Sequence, residues 1–314
     1  MDADEHDVSL PPLYHACVAD DLPLVKRLLA EGADPNDGES VFHAAQFNRS
    51  ECLALMLAHG ADLSSRSALH GNTPLYFLAG VHESDRGAAE ATAGMRWLLE
   101  HDADPNVTSY EIEETPLHAL ARSGWNEPMA ELLVAHGASL DAPRADGRTA
   151  FVLAVRSGCI RGAAFLRSRG AAVSDLTPAD EFLGACLRGD ESEARARLAS
   201  HPDVLDALSR EDAWGGTPLH HAAWHGRLGM VRSLLTLGAP VNVRDLRFGS
   251  SPLGWAAHGS TYCERAGGEH VAVVTALLDA GADRLTSINR WNEPPESMAS
   301  PEVAQILRAR GFTP

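Results

Sequence analysis

Apolar residues recur along the chain in short stripes of helical spacing. In MVRSLLTLG, Met230, Val231, Leu234 and Leu235 share one face, and in VVTALLDAG, Val273, Val274, Leu277 and Leu278 repeat the arrangement. Runs of this kind close on a related phrase: EGADPN from Glu31, HGAD from His59, HDADPN from His101, HGAS from His136, RGAA from Arg169, LGAP from Leu237 and AGAD from Ala280. Glycine after such a run is a left-handed stop for a helix. Asp102 takes that glycine position in its own phrase, which predicts a left-handed aspartate. A second phrase opens the units: GNTPLYFLA at Gly71, ETPLHALARSG at Glu114, GRTAFVLAVRSG at Gly147, GGTPLHHAAWHG at Gly215 and SSPLGWAAHGS at Ser250. Thr or Ser before Pro reads as an N-cap followed by a residue whose missing N–H costs nothing at the first helical position. Pro116 to Ala150 and Pro218 to Pro252 are both 34 residues apart. Each unit is therefore a turn, a short helix, a tight connection and a second helix. Neither helix can hide its apolar face alone, so the units must stack.

The phrase TPLHHAAWHG…LLTLGAPVN resembles the ankyrin repeat, from its Thr-Pro-Leu-His opening to its Gly-Ala close. Units begin near Leu10, Glu39, Gly71, Glu114, Gly147, Pro178, Gly215 and Ser250, with a truncated cap near Trp291. The resemblance implies an all-α ankyrin-repeat solenoid of stacked helix-turn-helix units with short turn fingers. It also implies a non-enzymatic protein-interaction module, a scaffold, adaptor or masking inhibitor, that binds through its finger tips and the groove lined by its first helices. The pattern divides the chain into an acidic, disordered start at residues 1–9, a first block at 10–177 and a second at 178–314. The sixth unit, which lacks the closing Gly-Ala, lies at the junction. Gly-rich polar insertions interrupt the third unit at residues 80–94 and the eighth at 260–270.

Charge narrows the partners. A formal net charge of −17 opposes broad attachment to nucleic acid or an anionic membrane surface, because either requires clustered Lys and Arg. The expected partner is another protein, met by a monomer. Cysteines number five, widely spaced and without a CxxC, which suits a reducing cytoplasm better than a disulfide framework or a zinc ribbon. The start, MDADEHDVSLPP, has neither the basic nor the apolar region of a secretory signal, and no apolar run approaches the roughly 20 residues that span a bilayer. No metal or cofactor is expected.

GGTPLHHAAWHG holds three histidines, which raises the question of chemistry. His220, like His118, falls on the histidine of the ankyrin opening, where the resemblance implies a scaffold role. His221 and His225 stand four apart on one helix but have no third ligand near them in sequence. The rival to a binding module is an enzyme or small-ligand or metal binder that uses the eighth-unit insertion, where His258, Cys263, Glu264 and His270 cluster. The binding reading rests on other side chains. Trp224 faces the expected groove and Trp214 the tip of a finger, both large anchors of low side-chain entropy. In register, the variable positions after the Ala-Ala pairs carry Arg122, Arg156, Arg188, His225 and His258, a basic lane suited to an acidic or phosphorylated segment.

Overall fold

The computed structural model describes residues 10–67, 71–82, 85–110, 112–123, 125–204, 216–263 and 269–312. The expected disorder at residues 1–9 lies outside them. Among the described residues the chain is all helix and loop, with no strand. Short helices follow one another in pairs, such as Ser40–Gln46 with Ser50–Ala58 and Pro218–Trp224 with Leu228–Thr236. Packing separates two compact units, Met1–Val155 with Cys159–Asp175, and Arg156–Gly158 with Leu176–Pro314.

The opening phrase does not act alike in every unit; at Ser251 the hydroxyl meets Ser287 Oγ at 2.6 Å and does not cap its helix. Thr73 behaves as the N-cap its position predicts, its hydroxyl accepting from the Tyr76 N–H at 3.2 Å. At Thr115 and Thr217 the histidine three residues on takes part instead. His118 Nδ1 accepts from the Thr115 N–H at 3.1 Å and lies 2.8 Å from its hydroxyl, while Nε2 sits 3.2 Å from the Arg148 carbonyl in the next turn. His220 repeats this with Thr217, at 2.9 Å from both its N–H and its hydroxyl, and with the Ser250 carbonyl at 3.1 Å. An accepting Nδ1 requires the proton on Nε2, so each neutral ring joins its own helix start to the following turn. Both rings are buried. Burial lowers both pKa values, that of His220 to about 4.

The closing phrase is a repeated Schellman motif. Gly32, Gly60, Gly137, Gly170, Gly238 and Gly281 have φ between +86° and +96°, and Asp102 takes +68° in the same role. The N–H three residues past the helix bonds back into its last turn, at 3.0 Å from Ala103 to the Leu98 carbonyl and 2.9 Å from Ala239 to that of Leu234. Beyond each closure an amide strap joins neighbouring fingers. Asn36 donates to the Gly60 carbonyl at 3.1 Å and accepts from the Asp62 N–H at 2.8 Å. Asn106 treats Gly137 and Ser139 alike, at 3.0 and 2.8 Å, and Asn242 does so with Gly281 and Asp283, at 2.9 and 3.0 Å.

Leucine and methionine fill the first unit's core: Leu53, Met56, Leu75, Leu78, Met95, Leu98, Leu117 and Leu120 are essentially inaccessible. The second unit is centred on Phe182, Leu219, Val231, Leu234, Leu253, Val274 and Leu277. In both, a glycine sets a close approach of backbones. A Cβ on Gly94 would stand 1.8 Å from the Ala45 carbonyl oxygen, and one on Gly259 would stand 2.3 Å from that of Trp224. Gly94 belongs to the third-unit insertion, much of which is not a loop. Ala88–Glu100 is one long helix, because the AAEATAG segment is rich in strong helix formers and its glycine fits against the neighbouring helix.

Candidate functional site

In the second unit the first helices Pro218–Trp224 and Pro252–Tyr262 lie side by side, and their aromatic residues form a graded row. Trp255 is at the buried end, 9% exposed, its indole N–H donating to Asp245 Oδ2 at 3.0 Å. Trp224, half-buried, stands edge-to-face against Trp255 at 6.3 Å between centroids and against His258 at 5.4 Å. His258 is exposed and meets Tyr262 edge-on at 4.6 Å; Tyr262 itself is 62% exposed. Partial desolvation lowers the His258 pKa, with Glu293 pulling the other way. The structure thus gathers Trp224 and His258 on one face and adds Tyr262, which sequence reasoning passed over because it sits in what looked like an insertion.

The residues of the rival site find other partners. Cys263 is half-buried, with Sγ 3.5 Å from Nδ1 of His225, and His270 Nε2 lies 2.9 Å from the Trp224 carbonyl. His258 faces aromatic rings. Glu264 lies outside the described residues, among which no three His, Cys, Asp or Glu side chains group closely enough to hold a metal ion. A thiol beside an imidazole can exchange a proton, but such a pair is not by itself a catalytic site.

The arginines of the expected lane differ in how far they are committed. Arg188, at the end of the helix Pro178–Arg188, is exposed. Arg156 is buried, its Nη1 2.6 Å from Asp180 Oδ1. Arg122 is part-exposed and rests on Glu114 at 3.3 Å and on the Tyr76 hydroxyl at 3.3 Å. Glu114 is fully buried and gathers a whole cluster: Tyr76 donates to it at 2.8 Å and Arg144 at 2.7 Å. Burial alone would raise its pKa, but Arg122, the Tyr76 hydroxyl and Arg144 outweigh that and hold the carboxyl below its ordinary range. The lane is thus uneven, its arginines serving ion pairs as well as solvent. Trp214 lies outside the described residues. The one sequence signal for the Glu114 cluster is a carboxylate directly before Thr115-Pro116, where GNTP and GGTP have a small or amide residue.

The comparisons with known proteins agree with this architecture. Family models described as ankyrin repeats (3 copies) match residues 13–109 and 86–176, and a model described as ankyrin repeats (many copies) matches residues 207–253. The chain is similar to the transient receptor potential channel pyrexia of Drosophila melanogaster, 33% identical over 36% of this chain and 11% of that protein. It is similar to a probable E3 ubiquitin-protein ligase, XBOS33, of Oryza sativa subsp. japonica, 26% identical over 68% of this chain and 41% of that protein. Human Rabankyrin-5 is 28% identical over 60% of this chain and 18% of its own length. The chain thus spans less than half the length of each of these relatives. Repeated helix pairs, left-handed closures, histidine-bonded Thr-Pro turns and family matches over more than half of the sequence lead to one assignment: the chain belongs to the ankyrin-repeat family.

Proposed function

We propose that this chain is a non-enzymatic binding module, a scaffold, adaptor or masking inhibitor, that holds a partner protein along its first helices. Ankyrin repeats generally mediate protein–protein interaction, and a stacked scaffold presents a preformed surface whose ordering cost on binding is small. The observation that carries the reading is the row Trp224, His258 and Tyr262, aromatic side chains left partly or largely open on one helical face. Rings of low side-chain entropy are the usual anchors of protein interfaces. In the same unit, exposed Arg188 supplies positive charge for acidic or phosphorylated side chains. The site is the cytoplasm and the chain acts as a monomer; five free thiols suit a reducing compartment, and among the described residues no helix is long and apolar enough to cross a membrane.

The test compares proteins captured by the wild-type chain and by His258→Ser/Tyr262→Ser from extracts of its own cells, with quantitative mass spectrometry and circular dichroism. Both side chains are exposed, so the fold persists. A partner enriched by wild type and reduced several-fold by the double variant is expected. Identical capture by the two chains would remove this face from the interface.

A further inference from the structure

Beyond the first-helix row, the last two fingers of the second unit display a further surface. Leu246 is 71% exposed and Trp291 62% exposed, and the Phe248 ring stands 6.2 Å from that of Trp291. Large apolar side chains placed this openly on adjacent loops mark an interaction site more often than chance does. Their exposure is built in. Buried Asn289 accepts at Oδ1 from the N–H groups of Trp291, at 3.0 Å, and Glu293, at 2.9 Å. The Arg290 N–H ties the turn to the Phe248 carbonyl at 2.8 Å. Asn292 then turns the chain through φ +63°. Trp291 is therefore held outward by a braced turn, and binding costs little reorganisation of the loop.

Charge around this platform runs against that of the whole protein. Arg244, Arg247 and Arg290 are all exposed. Arg244 donates to the carbonyls of Gly249, at 2.5 Å, and of Ile288; Arg290 donates to that of Leu246 at 2.8 Å. Carbonyls fix a guanidinium in place without cancelling its charge. Arg247 lies over the Phe248 ring, 5.8 Å from its centroid. Two nearby carboxylates keep their charge under neutral hydrogen-bond donors, so the three exposed guanidinium groups outnumber them by one. Asp245 is buried and accepts from the Trp255 indole, the Ser250 N–H and the Phe248 N–H, while Glu293 is held by Asn289 Nδ2 at 2.6 Å. At physiological ionic strength the field of a distant charge dies within about 8 Å, so an arriving segment feels these arginines rather than the net charge of the chain.

We infer that the fingers at Arg244–Gly249 and Ile288–Glu293 form a docking site for an acidic protein segment that carries an apolar side chain. The apolar group packs on Leu246, Phe248 and Trp291, and flanking carboxylates pair with the forks of Arg244 and Arg290. This names a partner chemistry within the protein-binding reading and rests on it, at a finger surface joined to the Trp224 row through buried Trp255, whose ring stands 5.8 Å from that of Phe248.

The probe is a fluorescein-labelled peptide with glutamates flanking a central Phe-Leu, measured by anisotropy on the full chain. Controls replace its glutamates by lysine or its Phe-Leu by Ala-Ala, and a single-stranded oligonucleotide of equal charge is run beside them. Binding on the order of ten-fold tighter than each control is expected, with a similar loss in Trp291→Ala and in Arg244→Glu/Arg290→Glu. Arg290→Lys, which keeps the charge but not the fork, should fall between. Circular dichroism establishes that the variants fold. A peptide no tighter than its controls, or an oligonucleotide equal to it, would overturn the inference. So would tight binding indifferent to Trp291→Ala; that result places the peptide elsewhere and leaves the protein-binding reading intact, whereas that reading fails only in the capture experiment.

Discussion

Replacing Asp102 by glycine should stabilise the protein. Asp102 follows the helix Ala88–Glu100 at φ +68°, in the position that glycine fills elsewhere, and its carboxylate stands at the negative end of that helix. A left-handed L-residue is strained by about 1 kcal/mol or more, and aspartate lies at the low end of that range. A carboxylate at a helix C-terminus adds roughly 0.5 kcal/mol of repulsion. Against these, glycine loses more backbone entropy on folding, by about 0.7 kcal/mol. The net gain is about 1 kcal/mol, which for a unit of this size raises Tm by about 3 °C. Calorimetry and urea denaturation followed by circular dichroism measure it. Asp102→Asn separates the contributions, because it removes the charge while tolerating the left-handed region, and should give about half the gain. Asp102→Ala should give none. A glycine variant that melts at or below wild type would refute the strain argument, and an asparagine variant that matches glycine would reduce the effect to charge.

Three further outcomes are expected. In the unfolded chain a histidine takes its proton near pH 6.5 whereas folded His220 resists until about pH 4, so its contribution is complete above the unfolded value and drains away as pH falls between the two. Stability should drop by about 2 kcal/mol from pH 7.5 to 5, with a flatter profile in His220→Gln; equal slopes for the two chains would contradict this. Glu114→Gln removes the buried counter-charge of Arg122 and Arg144, but the Arg122 side chain is 44% exposed and Arg144 keeps Asp146 at 2.6 Å, so the loss in chemical denaturation should be about 1–3 kcal/mol, an unchanged midpoint showing that the cluster relaxes toward solvent. Gly94→Ala drives a methyl into the Ala45 carbonyl and should cost about 3 kcal/mol, measured the same way; an unchanged midpoint would mean the two helices slide apart freely.

The fold was legible because its signals are local and repeated. Thr-Pro, the apolar stripe and the closing glycine each act within a few residues, and even the exception at Asp102 could be read from its place in the phrase. The site was legible only in part. Trp224 and His258 could be placed on one face from register alone, since helical spacing fixes direction. Register does not disclose what a side chain meets on arrival. Arg156 and Arg188 occupy equivalent positions, yet one is buried on Asp180 and the other exposed, because Asp180 is supplied by another helix. Trp291 likewise looked like the edge of a cap, and its outward pose depends on Asn289 and on a carbonyl of the preceding finger.

The amide straps also make the chain a graded mechanical clasp. Under tension, load passes from finger to finger through one side-chain position. Asn36 and Asn106 hold it by two bonds each and Asn242 by three, since an amide donates and accepts at once. Asp141 accepts from the Ala172 N–H at 2.8 Å but, as a carboxylate, has no hydrogen to give, and Ser64 engages the next finger through the Asp104 N–H at 2.8 Å. Rupture in a pulling experiment should therefore begin at the fingers clasped by Asp141 and Ser64 and reach the asparagine clasps later, so that the order of unravelling is encoded in a single column of the repeat.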